Sequence, residues 1–210
     1  MKLIKSVPVF LLAATLLMSC GGNKEEEKTE ESGDDGTSIS ATESVKALKK
    51  MAEQAEDMSK NGPVETVDFR KLKEMLPADA DGLARKEATG EKNGMAGFNI
   101  STAKGDYRNE DGSQSIEIDI VDAGGTGALM GLAAWSIIEV DKETENGYEK
   151  TTKFGDYKSY EKYDNSNKNG EIAVLIKNRF IVTAKGNGVD MDKIKATLEK
   201  IDLDKLAELK

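Results

Sequence analysis

The chain has 210 residues, 38% hydrophobic and 33% charged, with 39 acids against 30 bases, one cysteine and no histidine. That length fits one domain with appendages; a lone cysteine excludes an intrachain disulfide and a thiolate zinc site, and the missing histidine removes the commonest general base and metal ligand. A net charge of -9 argues against nucleic acid, whose binding needs basic surface to displace counterions, and no metal or cofactor is expected.

Lys2 and Lys5 precede an apolar stretch from Val7 to Met18. It falls short of the about 20 residues of a transmembrane helix and fits the h-region of a signal peptide over 1–19. The stretch ends in Leu17-Met18-Ser19-Cys20, followed by Gly21-Gly22. These residues resemble the lipobox of bacterial lipoproteins. The resemblance implies a lipidated Cys20 that becomes the first residue after cleavage and holds the chain to a membrane. Acyl chains contribute about 0.8 kcal/mol per buried methylene, so two or more anchor stably. Gly21 stands where an inner-membrane retention signal would carry Asp, which by the same resemblance implies the outer membrane of the cell envelope. Asn23-Lys24-Glu25-Glu26-Glu27 is similar to the tract that directs some Bacteroidetes lipoproteins to the cell surface, and equally makes a solvated acidic tether. Losing residues 1–19 removes two lysines and no acid, taking the charge from -9 to -11.

Residues 21–39 hold no aromatic and only Ile39 as a large apolar residue, so they cannot offset their ordering entropy. Repulsion among Glu25, Glu26, Glu27, Glu30, Glu31, Asp34 and Asp35 extends them, making 20–39 a disordered acidic tether. Ser40-Ala41-Thr42-Glu43 has capping-box spacing, and Val45, Leu48, Met51, Ala52, Ala55 and Met58 recur at helical intervals. Asn61-Gly62-Pro63 closes this amphipathic helix, 40–61, which either lies on its own domain or docks onto a partner. A short helix follows Asp68, with Phe69, Leu72, Met75 and Leu76 on one side and Pro77 at its end.

From Gly82 the period changes to two. Leu83–Ala88 and Ala96–Ser101 read as strands joined by a turn containing Gly90 and Gly94, and Ile116, Ile118 and Ile120 alternate with Glu117, Asp119 and Val121. Ala128–Ile138, nearly all apolar and holding Trp135, reads as a buried helix. Tyr148–Phe154, Tyr157–Tyr163, Glu171–Ile176 and Arg179–Lys185 read as strands, with Gly155-Asp156 and Lys177-Asn178 as tight turns. Asp190 caps a last helix through Ile194, Leu198 and Ile201, and Leu203–Leu209 adds a further turn. Residues 64–210 are thus expected to form one α+β domain, an antiparallel sheet of about five to seven strands with helices on one face, preceded by the N-terminal helix. In architecture this order resembles two-layer domains of the PsbP/Mog1 type, a likeness that carries no function.

Gly124-Gly125-Thr126-Gly127 stands between strand and helix like a phosphate loop, but Ala128-Leu129 replaces the Lys-Ser/Thr pair and Met130 the third glycine of a dinucleotide fingerprint. A tight turn is the better account. Asn165, Asn167, Asn169, Gly170 and Ile172 match a calcium loop, yet Ile176 fills the position of its bidentate Glu, leaving a polar hairpin loop. Glu117, Asp119 and Asp122 lie close enough in sequence for paired-carboxylate catalysis, although the first two alternate with the isoleucines and face water. No Gly-x-Ser-x-Gly elbow occurs. The binding candidates are Tyr157, Tyr160, Tyr163 and Trp135, aromatic groups able to hold a peptide, glycan or apolar ligand or simply to pack across strands. The expected function is a lipid-anchored envelope protein with a non-catalytic domain that binds a protein or small ligand. An assembly accessory docking through the 40–60 helix is the alternative, and a carboxylate or Ser–Lys hydrolase a minor one.

Overall fold

The structure is a computed structural model that describes Lys49, Ala52, Glu53 and Glu56, then residues 65–95, 98–124 and 132–210. Every described residue belongs to one compact unit, Ile39–Lys210. The expected signal peptide, Cys20 and the expected tether lie outside the described residues. So does most of the 40–61 helix, of which Lys49, Ala52, Glu53 and Glu56 are helical and exposed.

Helix α1 (Phe69–Glu74) starts where expected, with the Asp68 side chain accepting from the Arg70 backbone N–H, and buries Leu72. The strands are β1 (Asp79–Ala80), β2 (Leu83–Met95), β3 (Phe98–Arg108), β4 (Ser115–Asp122), β5 (Asp141–Thr144), β6 (Gly147–Phe154), β7 (Tyr157–Asp164), β8 (Asn169–Ile176) and β9 (Phe180–Asn187). Helices α2 (Met191–Leu198) and α3 (Leu203–Glu208) follow. The nine strands form one sheet in the order β1-β2-β3-β4-β9-β8-β7-β6-β5, every neighbouring pair antiparallel. Two meanders therefore meet where β4 pairs with β9.

The described chain is mostly β, and its sheet exceeds the expected five to seven strands. Three expectations fail for identifiable reasons. Gly90 and Gly94 lie inside β2, paired with Ala103 and Asn99, and do not form a turn. β5 has four exposed residues and so carries no apolar alternation to announce it. Of Ala128–Ile138, residues 132–138 are described: Ala134–Ile137 is a 3-10 helix with no buried residue, Leu132 is 48% exposed and Ala133 is buried, so the expected buried helix does not run through to Ile138.

Period two places Ile116, Ile118 and Ile120 on one face of β4, all at most 1% exposed. Across the ladder they meet Gly186, Ala184 and Val182 of β9, which in turn face Gly170, Ile172 and Val174 of β8. The three helices cover this face: Leu72, Ile194, Leu198 and Leu206 join the same core cluster. Each such aliphatic side chain contributes about 1.5–3 kcal/mol on full burial. The cross-strand pair Gly170 and Gly186 permits the contact, since a Cβ on Gly186 would stand 2.5 Å from Ile194 Cδ1. The opposite face carries a smaller cluster at one end, Ala123, Ala133, Leu175 and Ile181, with Trp135 packed partly against it.

Candidate functional site

The four aromatic candidates do not form one site. Residues two apart on a strand share a face, so Tyr157 and Tyr163 take the helix side of β7 and Tyr160 the other. The Tyr163 hydroxyl, buried, donates to the Val189 carbonyl at 3.0 Å, and its ring lies 6.3 Å from that of Tyr148. Tyr157 donates to Asp204 of α3 at 2.7 Å. Both tie helices to sheet. Tyr160 meets Trp135 on the opposite face with centroids 6.1 Å apart and donates to Glu149 Oε1 at 2.7 Å. Burial, and then the bond to Glu149, raise the Tyr160 pKa.

Around that pair the uncovered face is built of charge. Following the register across the sheet gives one row: Glu87, Asp106, Glu117, Lys185, Glu171, Lys162, Glu149 and Lys142. Its β2–β4 end is acidic, whereas β9 through β5 alternate in sign, and opposite charges on facing strands contribute roughly 0.2–1 kcal/mol per pair. Lys104, directly opposite Asp119, pairs with Glu117 Oε2 at 2.5 Å. Burial pushes the Asp119 carboxyl up to about 6, helped by the charge of Glu117. Burial also acts to raise Glu117, but the hydrogen bond and charge of Lys104 outweigh it and hold that carboxyl below its ordinary value. Glu117 and Asp119 thus lie on the less buried face, in a network with Lys104.

Asp122, the third carboxylate of the set, is separated from them. It is fully buried and accepts four hydrogen bonds: from Val67 N–H at 2.7 Å, Gly124 N–H at 2.8 Å, Arg179 Nε at 2.9 Å and Arg179 Nη2 at 2.8 Å. The Arg179 guanidinium also reaches the carbonyls of Glu65 and Leu209. This bidentate pair clamps residues 65–67, the central strands β4 and β9 and the segment at Leu209 together. A second buried acid, Glu161, lies between Lys195 at 3.1 Å and Lys150 at 3.7 Å. It also accepts from the Tyr148 hydroxyl at 3.4 Å, and burial, with the charge of Glu161, pushes Tyr148 up to about 12. Ser159, on the same face two residues before Glu161, is fully buried and its hydroxyl has no hydrogen-bond partner.

The asparagine loop closes on Asp164, which accepts from Ser166 N–H at 2.7 Å and Asn167 Nδ2 at 2.9 Å. Of the glycine loop only Gly124 is described, at a φ of 59°; residues 125–131 lie outside the described residues. Two open clefts mark the uncovered face and its margin. One of about 500 Å³ runs between Glu139, Val140, Asp141 and the β6–β7 hairpin at Thr151, Lys153 and Lys158. One of about 190 Å³ lies among Thr89, Glu91, Thr102, Lys104 and Asp119. Among the described residues no three His, Cys, Asp or Glu are grouped to hold a metal ion, and no helix is long and apolar enough to cross a membrane.

The charged row escapes sequence reasoning although its signal is present, a charge at alternate positions in successive strands, because it appears only once the register is known. The Asp122–Arg179 clamp joins residues 57 apart and leaves no local pattern. Comparison of the chain with family models, with curated proteins and with solved structures finds no match in any of the three.

Proposed function

We propose that the chain is a lipid-anchored protein of the bacterial cell envelope, held through Cys20 in the outer membrane, whose α+β domain binds a protein partner without catalysis. The observation that carries the binding reading is the charged row on the uncovered face. Eight strands at about 4.8 Å spacing carry it over roughly 34 Å, the scale of a protein–protein footprint of about 800 Å² per partner. Charge in fixed order gives specificity and steers encounter more than it adds affinity. The acidic stretch Glu87, Asp106 and Glu117 fits a basic patch on the partner. Both clefts are open, which favours a surface partner over a small enclosed ligand.

Two measurements test this reading. A photo-crosslinking residue at Thr183, on the uncovered face, is expected to give adducts in the native envelope that Glu117→Lys with Asp106→Lys abolishes. The same residue at Lys193, on α2, is expected to give none. Equal adducts from both positions, or adducts indifferent to charge reversal, would overturn the reading. Fatty-acid labelling of the Cys20→Ser variant tests the anchor separately, with loss of label expected. A second reading, docking through the 40–60 helix, draws on the apolar stripe Val45, Leu48, Met51, Ala52, Ala55 and Met58 at helical spacing in the sequence, of which Ala52 is described and exposed. Loss of association on deleting residues 40–60, with Thr183 crosslinks unaffected by charge reversal, would favour it.

A further inference from the structure

The charged face divides along a line between β9 and β8, the middle of the eight strands β2-β3-β4-β9-β8-β7-β6-β5. On the β2–β4 side it carries Glu87, Glu91, Asp106, Glu117 and Asp119 against Lys104 and Arg108. On the β7–β5 side it carries Lys142, Lys153, Lys158 and Lys162 against Glu149 and Asp164. Lys185 and Glu171, opposite each other across the line, complete the row. Each of these groups is exposed or half-buried. The face is therefore an open dipole, with an acidic half and a basic half.

Consider two such faces with a two-fold axis between them, parallel to the strands and over the dividing line. β4 of one copy then lies on β7 of the other, β3 on β6 and β2 on β5. Along the row, Glu117 meets Lys162, Lys185 meets Glu171 and Glu87 meets Lys142, each contact being made twice. Only Asp106 meets a like charge, Glu149, and both have partners within their own copy. Arg108 lies 3.9 Å from Asp106, and the Tyr160 hydroxyl donates to Glu149 at 2.7 Å. An axis laid along the row would instead set every residue against its own copy, like charge on like. Rotation keeps the hand of the sheet twist, and packed sheets hold their strands within about 30° of each other, so the twisted faces can follow one another.

We propose that the partner of the charged face is a second copy of this chain, two such faces meeting about a two-fold axis that runs along the strands. The inference rests on the binding reading of the row and supplies the basic patch which that reading calls for, the β7–β5 half of the other copy. Two-fold pairs are the commonest protein assemblies. The face is also large enough. Strands β4, β7, β8 and β9 have eight residues each, so a face roughly 34 Å across spans about 900 Å², the order of the about 800 Å² that each side of a stable interface buries. Trp135 packs at one end of this face, and the axis brings that end of both copies to the same side, so that they meet each other and not the row.

The test uses the full chain in the native envelope, with the photo-crosslinking residue at Thr183, which the axis sets opposite Ala173. The expected adduct has twice the mass of the chain. Glu117→Lys alone, and Lys162→Glu alone, are each expected to reduce it about tenfold or more, since each brings like charges together twice. Co-expressing the two variants with different tags is expected to restore the adduct as a mixed pair only, because in that pair both contacts are again of opposite sign. Glu87→Lys and Lys142→Glu, at exposed positions, repeat the exchange should Glu117→Lys fail to fold. Double-mass adducts that survive the single reversals, or a mixture that does not restore them, would overturn the proposal. Adducts of another mass alone would overturn it while leaving the row a binding surface. No adduct of any mass would overturn the binding role of the row and this inference with it.

Discussion

Arg179 is 16% exposed at its side chain and Asp122 not at all, so the pair sits where unpaired charge is costly. Breaking a buried pair by removing one partner costs about 3–5 kcal/mol, because the other charge is stranded. Arg179→Met is therefore expected to destabilise the domain by that order, read from the midpoint of urea unfolding, and more than Lys185→Met on the exposed row. Asp119 poses the opposite case. Its pKa rises from 3.8 to about 6 on folding, so the fold prefers the protonated carboxyl. Across roughly pH 4 to 6 the unfolded chain loses that proton before the folded one does, and stability falls as pH rises. Asp119→Asn is expected to raise the melting temperature at pH 7.5 and to leave it almost unchanged at pH 4.

Among the elements, α2 depends on two glycines. A methyl at Gly186 would meet Ile194 Cδ1 at 2.5 Å and Val189 Cγ2 at 2.5 Å, and overpacking of this kind costs about 1–3 kcal/mol. Gly186→Ala is expected to show that loss in thermal unfolding, and Ile194→Val in the same chain to cost less than the two changes summed. Local sequence was informative wherever one face of an element is dry. Ile116, Ile118 and Ile120 alternate cleanly because β4 has helices on one side and charge on the other, and Asp68 and Pro77 bracket α1 for steric and hydrogen-bonding reasons visible in the letters alone. β2 was misread because nearly all of Ala84–Gly94 is exposed, which leaves its glycines as the loudest local signal. Residues 134–138 mislead in the reverse sense, apolar composition without full burial.

For the whole molecule, the described domain draws its N-terminal ties from residues 65–67 onward. Residues 64–210 are expected to fold without what precedes them, with a melting temperature within a few degrees of that of residues 20–210 and resistance to limited proteolysis. The candidate site was less legible than the fold. Tyr160 and Trp135 do meet, but Tyr157 and Tyr163 serve the helix face, and the parity that separates them was readable. Their hydroxyl partners, from Asp204 and Val189, were not, because those contacts are set by how α3 and the β9–α2 connection fold back over the sheet. The charged row needed the order β4-β9-β8, a junction between distant segments that no local pattern encodes.

The Arg179 fork has a mechanical consequence. A pull on the chain ahead of Glu65 arrives at a carbonyl held by Arg179 at 3.0 Å and at a Val67 amide held by Asp122 at 2.7 Å, hence at β4 and β9 in the middle of the sheet. Force delivered there is shared by neighbours on both sides, where force on an outermost strand would peel the sheet one rung at a time. A domain pulled from that side is thereby loaded at its central strands and not at an edge.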